Sequence, residues 1–102
     1  MVKSELIQKL SAETDIPPKI AEIAVNTVFN GMTEALIRGD GIEIRGFGSY
    51  RVKKKNSRQA RNPKTGQQVF VPEHYVPTFK FSREFKEMVN IGMMQKEREA
   101  AS

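Results

Sequence analysis

Cysteine is absent from the chain, so no disulfide framework can staple it and no thiolate can hold a metal. Nothing in the composition asks for an oxidising compartment. Long apolar runs are absent too: no stretch approaches the roughly 20 residues of a membrane span. The opening MVKSELIQKL carries Lys3, Glu5 and Lys9 where a signal peptide would be apolar. These absences point to a soluble cytoplasmic protein with no membrane partner. Catalytic equipment is scarce. His74 is the single histidine, no acidic pair stands at metal-ligand spacing, and positions 44 to 72 hold no Asp or Glu, where a nuclease would need carboxylates for its metal ions. The sequence therefore predicts no enzyme, no metal, no cofactor and no small-molecule substrate.

At 102 residues there is material for one domain. A monomer of this size buries only somewhat more than about 60% of its unfolded surface, and any projection taken from that material thins the core further. Self-association is the expected source of additional burial. What the chain has in quantity is positive charge, and it is unevenly placed. From Arg45 through Lys64 there are eight Lys or Arg residues and no acid, while the remainder holds nine basic and twelve acidic residues. A nearly neutral body with one concentrated positive segment directs its field at a polyanion. Nucleic acid is the leading candidate, with an anionic membrane surface as the alternative.

Periodicity divides the chain into helices at either end and strands between. Leu6, Ile7 and Leu10 at helical spacing predict a helix over 3–14, ended by Asp15-Ile-Pro-Pro. Pro18 suits the first turn of a second helix, expected to run to about Arg38 with Gly39 as its C-terminal cap. From Gly41 the apolar period becomes two, with Ile42 and Ile44, then Tyr50 and Val52, predicting a hairpin that turns at Gly46-Phe47-Gly48 with positive φ available to both glycines. Alternation stops at Lys53-Lys54-Lys55-Asn56 and resumes at Val69-Phe70-Val71. The polar stretch between stands outside any core. An isolated two-stranded ribbon is marginal in water, so its tip is expected to be disordered without a partner. Phe79 and Phe81 close the sheet region. Ser82 is the expected N-cap of a short last helix with Phe85, Met88 and Val89 as its apolar face and Gly92 as its stop. Ile42, Ile44, Phe47, Tyr50, Phe79 and Phe85 are the expected sheet core.

Particular runs carry more than periodicity. Gly41-Ile-Glu-Ile-Arg-Gly-Phe-Gly-Ser-Tyr-Arg-Val, then Arg58-Gln-Ala-Arg-Asn-Pro-Lys-Thr-Gly, then Val76-Pro-Thr-Phe-Lys closely resemble the bacterial HU and integration host factor family of DNA-bending proteins. The resemblance covers about residues 1 to 91. It implies an α+β fold in which two chains intertwine into a helical body, with an antiparallel sheet extended into a protruding β-ribbon arm at about 53–74 and a short C-terminal helix. Residues 92–102 would be a charged tail. It implies a histone-like, nucleoid-associated protein that bends or wraps double-stranded DNA, as a homodimer or with a paralogue, in the HU-like mode of weak sequence selectivity. The alternatives are site-preferring bending of the integration-host-factor kind and, more remotely, a structural protein that binds RNA or another polyanion.

The candidate DNA-binding residues follow from the resemblance and the charge pattern together. Lys53, Lys54, Lys55, Arg58, Arg61 and Lys64 along a solvated ribbon suit phosphates on both sides of a groove, and each neutralised phosphate releases condensed counterions. The three lysines also suit the ordinary protection of an edge strand. Asn62 and Pro63 at the tip are candidate DNA contacts as well, and both suit ordinary turn chemistry. The resemblance makes Pro63 in addition a wedge intercalating between base pairs. Lys3, Lys80, Arg83 and Lys86 resemble family positions that cradle flanking DNA. The chain departs from the family at Pro17-Pro18, at Lys55 where arginine is frequent, at Ala60 where glycine often stands, and at Phe81-Ser82-Arg83 in place of Pro-Gly-Lys.

Overall fold

A computed structural model describes residues 1–101 as two compact units, Met1–Arg38 and Gly39 onward. The first is a helical hairpin of α1 (Lys3–Thr14) and α2 (Pro18–Ile37). Asp15 closes α1 in the left-handed conformation (φ 57°), which a short polar side chain tolerates better than a branched one. Pro18 occupies the first turn of α2, where a missing N–H removes no bond. Gly39, at φ 83°, follows the cap Arg38 as expected. Ala21 and Val25 are buried, and an open apolar groove lined by Leu6, Leu10, Ala24, Val25, Val28 and Phe29 runs along the pair.

The second unit is built on antiparallel pairing. Strands β1 (Ile42–Ile44), β2 (Gly48–Lys55) and β5 (His74–Phe81) form a sheet in the order β1-β2-β5, and β3 (Arg58–Arg61) pairs with β4 (Gln68–Val71). The two ladders share one register. Lys55 faces His74 at the end of the first and Arg58 faces Val71 at the start of the second, leaving two residues on each strand, Asn56-Ser57 and Pro72-Glu73, at the break. No residue is inserted, so the ribbon continues the sheet without a bulge. Pro72 supplies the interruption, because it has no N–H to give to a ladder. Pro77 is tolerated within β5 because that strand lies at the sheet's edge.

On one face of this sheet the aromatic residues assemble a cluster. Phe47 lies 4.8 Å from Phe85 and 5.6 Å from Phe79, and Phe79 lies 4.5 Å from Tyr50 and 4.6 Å from Phe81 (ring centroids). Ser82 caps the last helix, α3 (Arg83–Ala101), its hydroxyl accepting the Phe85 N–H at 3.1 Å.

Four expectations need correction. First, only Gly46 takes a positive φ (77°), at the third residue of a turn closed by Phe47 N–H to Ile44 O. Gly48 is required for space: a Cβ there would lie 2.5 Å from the Lys80 carbonyl oxygen and 2.7 Å from the Phe79 ring. Second, Gly92 does not stop α3, which runs on as helix to Ala101; a glycine costs a helix about 1 kcal/mol relative to alanine, too little to end one by itself. Third, the arm tip is a defined turn, because local hydrogen bonds close it even though nothing packs on it. Fourth, none of the six expected core residues is fully buried and Ile44 is exposed, since a single chain covers its sheet with one helix only. Ile20, Ile23, Val28 and Phe29 of α2 are exposed as well.

Gly48→Ala should therefore cost about 2 kcal/mol by overpacking against backbone, whereas Gly46→Ala should cost about 1 kcal/mol through its left-handed φ. Urea denaturation at fixed protein concentration measures both. Equal stability of Gly48→Ala and the parent would show that the close approach to Lys80 is not a constraint.

Candidate nucleic-acid interface

Strand parity decides where each basic side chain goes. Along β2, Gly48, Tyr50, Val52 and Lys54 share the face of Phe79 and Phe81, while Ser49, Arg51, Lys53 and Lys55 share the opposite face with Lys80, Thr78 and His74 across the ladder. The run of three lysines is thus divided. Lys53 and Lys55 join Arg51 and Lys80 on a face whose one strand acid is Glu43, paired with Ser49 at the root of the ladder. Lys54 lies on the other, its ammonium 3.4 Å from the Glu73 carboxylate. That pair is half-exposed and worth little to stability, but it means that a phosphate would have to displace Glu73 to take Lys54. His74 closes the strand end, with Nδ1 2.9 Å from the Pro72 carbonyl oxygen.

Farther out, Arg58 pairs with Val71 and Arg61 with Gln68. Three residues apart, the two arginines project from opposite faces of the ribbon. The tip is closed by Asn62 N–H to Gln67 O and by Gly66 N–H to Asn62 O, both 2.8 Å, with Gly66 at φ 73°. Asn62 Oδ1 accepts the Lys64 N–H at 2.9 Å, a side-chain turn that leaves only its amide NH2 for an outside partner. Pro63 follows Asn62 directly, exposed, in the position where a fixed φ suits the turn. Two local devices therefore hold the pyrrolidine ring outward at the end of the ribbon.

At the root of the ladder, an open groove of about 590 Å³ is lined by Arg45, Lys80, Arg83 and Lys86, together with Glu43 and the Gly46 turn. The fold brings Lys80, Arg83 and Lys86, three of the four candidate body contacts, to one groove. Arg45 is the member that the sequence reading passed over. It opens the acid-free segment of the sequence without standing among the candidate contacts, and its place beside Gly46 is the available signal. Arg83 also meets Glu87 one turn on, Nε to Oε1 3.4 Å. Lys3 lies in the helical unit, at the start of α1, its ammonium donating to Asn26 Oδ1 at 2.9 Å. Among the described residues no cluster of His, Asp and Glu is placed to hold a metal, and no helix is long and apolar enough to cross a membrane.

Comparisons with known proteins converge on one group. The family described as "Bacterial DNA-binding protein" matches residues 1–90. The integration host factor subunit beta of Azoarcus sp. (strain BH72) is 49% identical over 92 residues, 89% of this chain and 98% of that one. The corresponding subunit of Nitrosomonas europaea is 45% identical over 96 residues, 93% of this chain and 91% of that one. Among solved structures, an Anabaena HU–DNA cocrystal structure aligns with a TM-score of 0.78 at 30% identity, covering 87% of this chain and 97% of that one. An HU mutant from Thermotoga maritima aligns at 0.63 and 29%, covering 87% and 99%.

The division of the lysine run has a measurable consequence. Lys53→Ala and Lys55→Ala should each reduce the steepness of log K against log salt on duplex DNA by about one unit, and Lys54→Ala by less than half of that. Fluorescence anisotropy at four salt concentrations reads the slopes; identical changes for all three would show that Glu73 does not hold Lys54 back.

Proposed function

The chain belongs to the bacterial DNA-binding protein family, and from that premise we propose that it is a histone-like protein that binds double-stranded DNA as a dimer and bends it. The observation that carries this reading is the uninterrupted register from the aromatic sheet to the arm tip, which takes cations and an exposed proline away from the sheet as one element. Residues 1–91 are the DNA-binding domain on this reading, with the arm at about 53–74. Its setting is the nucleoid of the cytoplasm, and no catalytic step is assigned to it.

The work divides by residue type. Lys53, Lys55, Arg58, Arg61 and Lys64 neutralise phosphates along the arm, and release of condensed counterions supplies the sequence-independent affinity. Lys80, Arg83, Lys86 and Arg45 take the flanking duplex at the groove, and Lys3 adds a contact from the helical unit. Pro63 enters between base pairs. Its ring needs no hydrogen-bond partner and loses little entropy on ordering, so it can replace a stacking contact at a cost of a few kcal/mol per step. The bend brings more phosphates to the cations, which offsets that cost. Selectivity on this reading is weak and HU-like, because the minor groove distinguishes mainly A·T from G·C and preference then comes largely from deformability.

The dimer follows from burial. Ala21 and Val25 are the only buried aliphatic side chains among the described residues, and the exposed apolar residues of α2 need a covering chain. That partner is a second copy, or a paralogue as the subunit names of the relatives suggest.

Binding to random, A·T-rich and pre-kinked duplexes at one salt concentration tests the mode. The pre-kinked duplex should bind tightest and the other two should agree within about tenfold. Preference for one sequence by a factor of about a thousand would move the protein to the integration-host-factor mode, and stronger binding to duplex RNA would overturn DNA bending altogether. Pro63→Ala should lower the bend angle, read by energy transfer between duplex ends, more than it lowers affinity; an unchanged angle would remove the wedge. The double variant Arg58→Ala with Arg61→Ala should flatten the salt slope by about one to two units.

A further inference from the structure

The distal ribbon has two faces of different character. Register places Arg58, Ala60, Val69 and Val71 on one, and Gln59, Arg61, Gln68 and Phe70 on the other. On the first face Ala60 and Val71 are half-buried; on the second all four side chains are exposed, Phe70 by 59%. An aromatic ring at that position adds nothing to the sheet core, because the ring cluster involves Phe47, Tyr50, Phe79, Phe81 and Phe85 at the other end of the ladder. A ribbon lying in a narrow groove applies one face to its floor. The two arginines, on opposite faces, cannot both reach it.

We propose that Phe70 is a second apolar DNA contact, and that the face it shares with Gln59, Arg61 and Gln68 is the one that enters the minor groove. The inference rests on the reading of the arm as a DNA-binding element and adds to it which face binds. The Gln59 and Gln68 amides and the Arg61 guanidinium supply N–H donors for the adenine N3 and thymine O2 acceptors of the groove floor, and the guanidinium charge there still displaces counterions from the phosphates on either side. The Phe70 ring packs on the deoxyribose edges that form the groove wall, an apolar surface that cations do not match. Arg58, on the outward face, reaches the phosphate rim. The competing role for Phe70 is local: aromatic residues favour strands, and a two-stranded ribbon needs every such preference.

Phe70→Val separates these roles, since valine keeps the strand preference and removes the ring. Val69→Thr, β-branched and on the opposite face, is the control. Phe70→Val should weaken duplex binding about tenfold with an unchanged salt slope, because a ring on a sugar releases no counterion. Val69→Thr should bind as the parent does. Loss with Val69→Thr alone, or equal loss with both, overturns the face assignment. If both bind as the parent while the Arg58→Ala, Arg61→Ala double variant still flattens the slope, the arm meets phosphates without an apolar contact and the Phe70 proposal fails alone. If that double variant is silent too, the arm does not bind DNA and the functional reading falls with it.

Discussion

One antiparallel register governs this molecule from the aromatic cluster to the proline. Because side chains alternate on a strand, a shift of one residue anywhere between Gly48 and Arg61 would exchange the two faces for everything beyond it. The break at Asn56-Ser57 and Pro72-Glu73 removes ladder hydrogen bonds without inserting a residue, so the bookkeeping of faces survives it. The packing of Tyr50 against Phe79 at the root therefore fixes the parity with which Arg58 and Arg61 emerge at the far end. Gly48 holds the start of that register, since only a residue without a side chain fits against the Lys80 carbonyl.

The same economy explains the thin core. A chain of this length that commits a long ribbon to solvent leaves little to bury in either unit: two aliphatic side chains in the helical hairpin, and a sheet whose expected core residues are only partly covered. In a monomeric protein, exposed Ile20, Ile23, Val28 and Phe29 on α2 would be a liability. On the dimeric reading proposed above they are the surface that a partner covers, and two chains bring two arms. On that reading dimerisation and DNA bending are linked through chain length, since residues given to the arm are lost to the core of a single chain.

Much of this was legible in the residues themselves. Apolar spacing and prolines located α1 and α2 to within a residue, because Pro18 and Gly39 act through backbone geometry that tertiary packing does not override. Ser82 was legible as a cap for the same reason. The arm tip was legible as a turn, but not what closes it: the Asn62 and Gly66 hydrogen bonds are local, and the absence of packing around them gives no sign of them. What composition could not supply was parity. Lys53-Lys54-Lys55 reads as one basic run until pairing separates Lys54 toward Glu73, and Arg58 and Arg61 read as a matched pair until register puts them back to back. Gly92 misled because a helix-breaking preference of about 1 kcal/mol is smaller than the propagation of the turns on either side of it.

On the reading proposed above, placing the Pro63 wedge at the end of a ribbon, and not on a helix or in the sheet, has a physical rationale. Insertion between base pairs costs a few kcal/mol, and the contacts that offset it form only once the duplex has bent. An element that must act first has to be tied to the rest strongly enough to transmit the later gain. A ladder with continuous register does this with backbone hydrogen bonds alone, without an apolar core along its length. The interruption at Pro72 then leaves one place where the ribbon is joined by chain and not by ladder, between the segment with Lys53 and Lys55 and the segment with Arg58, Arg61 and Pro63. Cations on either side of that joint can follow a phosphate backbone whose direction changes at the kink, which a rigid uninterrupted strand pair could do only by straining its own pairing.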